Sequence, residues 1–289
     1  MRLVSFRSAG TTRAGRVEGD QIVELPFADV GALLASGPDW ADAARSDGPV
    51  HPYVDIRLAP VVVAPPKIIC LGLNYADHIA EMGHARPKHP TLFAKYARSL
   101  IGHRDAIELP AVSDNVDYEA EMAFVIGHHA RHVSEADGLD AIAGWAVLND
   151  VSVRDWQRRT SQFLSGKTFE HTTPVGPELV TRDEGSDDGL GLAITCEVDG
   201  ETLQSGNTRE LIFSPAWVVS YLSTIMTLEP GDLVATGTPA GVAAGRTPPP
   251  WLRDGQTVTV TVEGIGRLEN PCRQSGPGTV RPAGDRGDG

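Results

Sequence analysis

Glu119 and Glu121, two residues apart, are the first groups in this 289-residue chain whose types and spacing invite chemistry. The β-branched and aromatic content of residues 116–127, closed by Gly127, predicts a strand about six to eight residues long. On a strand the two acids share a face with Ala123 and Val125, while Tyr118, Ala120 and Met122 take the other. Two acids on one buried face raise at least one pKa, through desolvation and mutual repulsion, unless a cation sits between them. The plain alternative is a half-exposed strand whose polar face meets water. A third acid, Asp150, follows the apolar run 144–149. That places it at the C-terminal end of another expected strand, where sheets commonly present functional side chains. Three oxygen ligands select a hard cation, Mg²⁺ or Mn²⁺, over zinc.

His78 and Glu81 are three residues apart, so in a helical turn they share a face, the geometry of a base held by an orienting carboxylate. A solvated surface histidine is the ordinary alternative. Lys167 lies in Ser165-Gly166-Lys167-Thr168, which imitates the end of a phosphate loop. The pattern needs a glycine where this chain has Ser161, and Gly237 with Gly241 also misses the dinucleotide spacing. In a carboxylate-lined cleft a lysine has another use, binding a substrate carboxylate or stabilising a developing enolate. The remaining histidines, among them His84, His128 and His171, show no metal-type spacing.

The elements that must position these groups read as a mixed α+β fold, β-rich, with a rolled sheet. Strand signals at 1–6, 12–17 and 21–25 and a short helix at 30–34 predict a small N-terminal β-rich domain, 1–64, bounded by Pro65-Pro66. The catalytic domain would span 65–273. Within it, strands are expected at 67–73, 193–198, 233–235 and 257–262, the last taken as the final β segment. Helices are expected at 134–143, 152–159 and, with serine at N-cap and proline at N1, 214–225. Residues 274–289 read as a disordered tail.

A formal net charge of −13 argues against a nucleic-acid or anionic-membrane partner. Three scattered cysteines suit a reducing compartment, and no stretch reaches membrane-spanning length, so the chain reads as cytoplasmic.

Taken together, residues 72–81, 116–121, 148–155, 166–170, 174–177 and 233–241 resemble, in order, the motifs of the fumarylacetoacetate hydrolase family, on the acylpyruvase and 2-hydroxyhepta-2,4-diene-1,7-dioate isomerase side. The resemblance implies a rolled, pseudo-symmetric β core, a homodimer, and Mg²⁺ or Mn²⁺ held by Glu119, Glu121 and Asp150. It also implies a water-activating His78–Glu81 dyad on a lid helix. Lys167, Gln157 and Thr238 would line the pocket, and Gly237 N–H with the Thr238 hydroxyl would hold the carboxylate of a small-molecule acid. The expected reaction is hydrolysis of a carbon–carbon bond in an acylpyruvate-type or fumarylpyruvate-type β-diketo acid from aromatic-compound catabolism. The alternative is decarboxylation or isomerisation of oxaloacetate or a 2-hydroxy-dienoate dioate. Glu170-His171 stand where many relatives have an aspartate.

Overall fold

The computed structural model describes residues 1–276 apart from 82 and 84, and of Ala80 the backbone alone. The N-terminal strands fall where alternation placed them: β1 (Arg2–Ser8), β2 (Thr11–Glu18) and β3 (Gln21–Glu24). Helix α1 (Val30–Leu34) is capped by Asp29, whose carboxylate accepts from Ala32 N at 2.7 Å, and buries Val30, Leu33 and Leu34. After α2 (Trp40–Ala43) and β4 (Val50–Pro52), the apolar run beyond the double proline forms β5 (Ile68–Gly72). Next come α3 (Ala76–Glu81), β6 (Thr91–Ala94), β7 (Leu100–Ile101) and β8 (Ile107–Leu109).

The carboxylate segment is two strands, β9 (Val116–Asp117) and β10 (Ala120–Ile126), and Glu119 sits in the break between them. Strand β10 is buried throughout, which excludes the half-exposed alternative. Met122 and Phe124 enter one core cluster, while Ala123 and Val125 enter another on the opposite face.

Residues 134–143 do not form the expected helix. Only a 3-10 turn, Gly138–Ala141, precedes β11 (Ile142–Asn149). Gly138 explains the departure: a Cβ there would lie 2.4 Å from Ala216 O, so the chain needs a glycine at a close approach. In place of one helix at 152–159 there are β12 (Ser152–Val153) and the single turn α4 (Arg154–Gln157). Then follow α5 (Leu164–Lys167), β13 (Thr173–Thr181), and the hairpin β14 (Ala193–Val198) and β15 (Glu201–Asn207). Asp199 and Gly200, both at positive φ, close that hairpin. Helix α6 (Pro215–Ile225) begins as read, the Ser214 hydroxyl accepting from Trp217 N. Strands β16 (Leu233–Ala235) and β17 (Thr257–Val262) also match, but a further strand, β18 (Gly266–Gln274), departs from the expectation that β17 is the last. Its buried positions Leu268, Asn270 and Cys272 do alternate; Pro271 and the flanking charges mask the pattern. Gln274 still pairs with Leu109, and residues 277–289 of the expected tail lie outside the described residues.

The main sheet runs β4-β3-β2-β1-β13-β11-β10-β16-β5-β6, with β7 added beside β13, so the N-terminal strands continue it through the β1–β13 pairing. A second sheet, β15-β14-β17-β18-β8, packs with α6 on the face carrying Met122 and Phe124. Helix α1 covers the other face, over Ala123 and Val125. This is the β-rich α+β architecture with few helices that the sequence predicts. No helix of the described residues is long and apolar enough to cross a membrane.

Candidate active site

Strands β10 and β11 pair antiparallel with Ala120 opposite Asn149, so the residues just beyond, Glu119 and Asp150, meet at one end of the pair. Asp150 N donates to Glu119 O at 2.9 Å, and Glu119 N donates to Asn149 Oδ1 at 3.0 Å. One ligand oxygen from each of Glu119, Glu121 and Asp150 can be chosen so that all three lie within 4.8 Å of one another, and all three residues are buried.

Around them runs a ladder of alternating charge. Lys95 Nζ donates to Asp150 Oδ1 at 2.6 Å, and Lys167 Nζ spans Asp150 Oδ2 at 2.8 Å and Glu119 Oε2 at 2.6 Å. Arg154 Nη2 lies 2.6 Å from Glu119 Oε1 as a charge contact outside hydrogen-bond alignment, and its Nε donates to Asp117 Oδ2 at 2.7 Å. Three anions and three cations cancel along this line. Glu121 is left over, accepting a hydrogen bond from a backbone amide, Gly237 N, at 2.8 Å. Burial, then Asp150 and Glu119, pushes the Glu121 carboxyl well above its ordinary range. For Glu119, burial pulls upward too, but Lys167 and Arg154 outweigh it and hold the carboxyl down at about 2. Burial disfavours the Lys167 charge, yet Asp150 and Glu119 keep the ammonium more firmly protonated than an ordinary lysine. An all-oxygen donor set with one uncompensated buried negative charge fits a divalent hard cation, held by Glu119, Glu121 and Asp150.

The centre opens into a cavity of about 370 Å³ lined by His78, Glu119, Glu121, Gln157, Lys167 and Thr238, with Leu71, Phe93 and Phe163 as its apolar wall. Phe93 packs edge-on against Phe163 and lies 5.0 Å from Lys167 Nζ, a cation–π contact. Lys167 reaches the centre because Gly166 lets α5 close on α4. A Cβ at Gly166 would lie 2.5 Å from Gln157 Cβ and N.

The His78–Glu81 pair forms as the spacing implies, with His78 Nδ1 3.1 Å from Glu81 Oε2. Helix α3 is fastened by the loop after β16. Ala240 N donates to Asp77 and Gly241 N to Glu81, while Ala243 N and Ala244 N of the same loop donate to Asp117. Gly237, at φ +96°, opens this loop. Its N–H is spent on Glu121, which corrects the expectation that it holds a substrate carboxylate. The Thr238 hydroxyl accepts from Gln204 Nε2 at 2.8 Å, and Gln157 Oε1 accepts from Arg154 Nη1 at 2.9 Å, leaving the Gln157 amide N–H groups at the cavity.

The expected metal ligands, base pair, lysine and pocket residues therefore converge. Sequence reasoning missed Lys95, Arg154 and Asp117. Lys95 follows the short strand 91–94, whose residues are half-buried or exposed, so nothing local marked it as a buried partner of Asp150.

The family model for the fumarylacetoacetate (FAA) hydrolase C-terminal domain matches residues 67–273. A mitochondrial oxaloacetate tautomerase of Xenopus laevis is 38% identical over 287 residues, covering 94% of this chain and 90% of the relative. Among solved structures, 5-carboxymethyl-2-hydroxymuconate delta-isomerase from Mycobacterium smegmatis superposes with a TM-score of 0.78 at 35% identity, covering 96% of this chain and 100% of that one. Maleylpyruvate hydrolase from Sphingobium sp. SYK-6 gives 0.79 at 28% identity, over 95% and 100%.

Proposed function

The chain belongs to the fumarylacetoacetate hydrolase family, and from that premise we propose that it interconverts the keto and enol forms of a small dicarboxylic 2-oxo acid of the oxaloacetate type. The observation that carries this reading is the meeting of a held base and a held cation on one cavity. His78 is fixed by Glu81, and Lys167 is fixed by Glu119 and Asp150.

In such an acid the C3 hydrogens lie between two carbonyl groups, and removing one sends charge to the C2 oxygen. With Nδ1 held by Glu81, His78 Nε2 is the ring nitrogen available to take the C3 proton, and the Glu81 carboxylate stabilises the imidazolium that results. The Lys167 ammonium places positive charge beside the C2 oxygen, and the Thr238 hydroxyl and Gln157 amide donate to the C1 carboxylate. Phe93 and Phe163 keep water from the C3 face. Mg²⁺ or Mn²⁺, when bound by Glu119, Glu121 and Asp150, supplies Lewis-acid stabilisation of the enolate charge. Return of the proton from His78 completes the tautomerisation.

Hydrolysis of a β-diketo acid is the second reading. It is favoured by the dyad itself, since His78 Nε2 can equally take a proton from a water that attacks a distal carbonyl, and by the likeness to the Sphingobium maleylpyruvate hydrolase. A homodimer and a role in aromatic-compound catabolism belong to the same proposal and rest on the family resemblance, while a cytoplasmic location rests on the cysteine usage and hydropathy of the sequence.

The test follows oxaloacetate enol-to-keto conversion by ultraviolet absorbance and acetylpyruvate cleavage by product analysis, with Mg²⁺, with chelator, and with His78→Asn. The protein should accelerate the first reaction beyond Mg²⁺ alone, and His78→Asn should lose about 10²- to 10⁴-fold. Cleavage without tautomerisation would exchange the two readings. Acceleration of neither would remove both, and full activity in His78→Asn would remove His78 as the base.

A further inference from the structure

Among the described residues, four basic side chains line the cavity: His78, Arg154, Arg158 and Lys167. Three are committed to protein carboxylates. His78 is held by Glu81, Lys167 by Glu119 and Asp150, and Arg154 by Asp117 and Glu119, with Gln157 taking a further N–H. The Arg158 guanidinium has no ion pair or hydrogen bond among the described residues, and the residue is exposed at the cavity rim beside Thr160. Its neighbour Arg159 lies elsewhere, stacked over the Trp156 ring at 3.6 Å.

Arg158 N donates to Arg154 O at 3.1 Å, closing one helical turn, so the two arginines rise from the same face about 5–6 Å apart at Cβ. Arg154 marks the inner end of the cavity through its contact with Glu119, and Arg158 stands one turn further out. An acid whose 2-oxo end lies at the Lys167 centre would bring a second carboxylate, four or five carbons along, to the Arg158 fork. Arginine is suited to that task because its planar donors meet a carboxylate with two parallel N–H bonds.

We propose that Arg158 is the specificity-determining residue for the distal carboxylate, selecting dicarboxylic over monocarboxylic 2-oxo acids. The proposal rests on the 2-oxo acid reading above and adds the group that recognises the far end.

The test titrates Mg²⁺-loaded protein with 2-oxoglutarate and with 2-oxopentanoate, which differ in replacing the distal carboxylate by a methyl group, and reads affinity by calorimetry. The wild type should favour the diacid, and Arg158→Gln should reduce the ratio of the two affinities by about ten- to a hundred-fold. Arg158→Lys, which keeps the charge and loses the fork, should retain an intermediate ratio. Equal losses for both acids, or an unchanged ratio in Arg158→Gln, would overturn the role of Arg158 while leaving the 2-oxo acid reading in place. Binding of neither acid to the wild type would overturn both. Because affinity is read without turnover, the role of Arg158 is tested even in a catalytically silent protein.

Discussion

Two places in this molecule bury carboxylates among cations beside a cleft. At the seam between β1 and β13, Glu178 accepts from Arg2 Nη1 at 2.8 Å and from the Tyr53 hydroxyl at 3.0 Å, one donor per oxygen. The cleft next to it, about 800 Å³, is larger than the one at Glu119, about 370 Å³. Neither buried charge nor cleft size separates the two places. At the end of β10 and β11 the charges alternate and cancel except for Glu121, and a histidine with its own carboxylate faces the same cavity. A structural cluster satisfies its own charges, whereas a binding centre leaves one for a visitor.

The largest expected effect comes from unbalancing the ladder. Glu119→Gln leaves Lys167 and Arg154 facing each other across a buried site. It should lower unfolding free energy by about 3–5 kcal/mol and abolish Mg²⁺ binding, read by denaturant unfolding and calorimetry. Unchanged Mg²⁺ affinity would remove Glu119 from the metal set.

A smaller effect separates the two acids of one strand by pH. The raised Glu121 carboxyl means that, above its ordinary value near 4.5, the folded metal-free protein holds more protons than the unfolded chain. Stability is therefore greater at the acid side of that window and falls as pH rises through it. Glu119, held at about 2, contributes in the opposite sense and in a different window, its stabilisation being lost as pH falls from about 4.5 toward about 2. Thermal melts of metal-free protein from about pH 5 to about pH 8 should thus show a decline that both Mg²⁺ and Glu121→Gln flatten. A decline that persists in Glu121→Gln would assign it to another group.

The smallest effect tests the other region. Glu178→Gln keeps a neutral acceptor for Arg2 and Tyr53, so it should cost about 1 kcal/mol by denaturant unfolding and leave turnover within about two-fold. A larger loss of turnover would make the β1–β13 seam part of the working site.

How far the sequence carried varies with the kind of signal. Strand alternation put Glu119 and Glu121 on one face, and Ser214-Pro215 marked the start of α6, because both are local rules of backbone geometry. Lys95, Arg154 and Asp117 left no such trace. Lys95 finds Asp150 55 residues away, and Arg154 finds Asp117 37 residues away. In a chain that is 22% charged, a single basic residue says nothing of its partner. The helix expected at 134–143 failed for a tertiary reason, since its last two residues are drawn into β11 and Gly138 is pressed against Ala216.

The loop after β16 touches Glu121, Asp77, Glu81 and Asp117, each time through a backbone amide. Amides are indifferent to the side chains they carry, so this ruler can drift in sequence at Ala240, Ala243 and Ala244, though not at Gly237 and Gly241, which sit at φ +96° and +103°. It cannot change length. One residue inserted or removed between Gly237 and Ala244 would shift the helix that carries His78 and the acids Glu121 and Asp117 out of step with each other, though it touched neither.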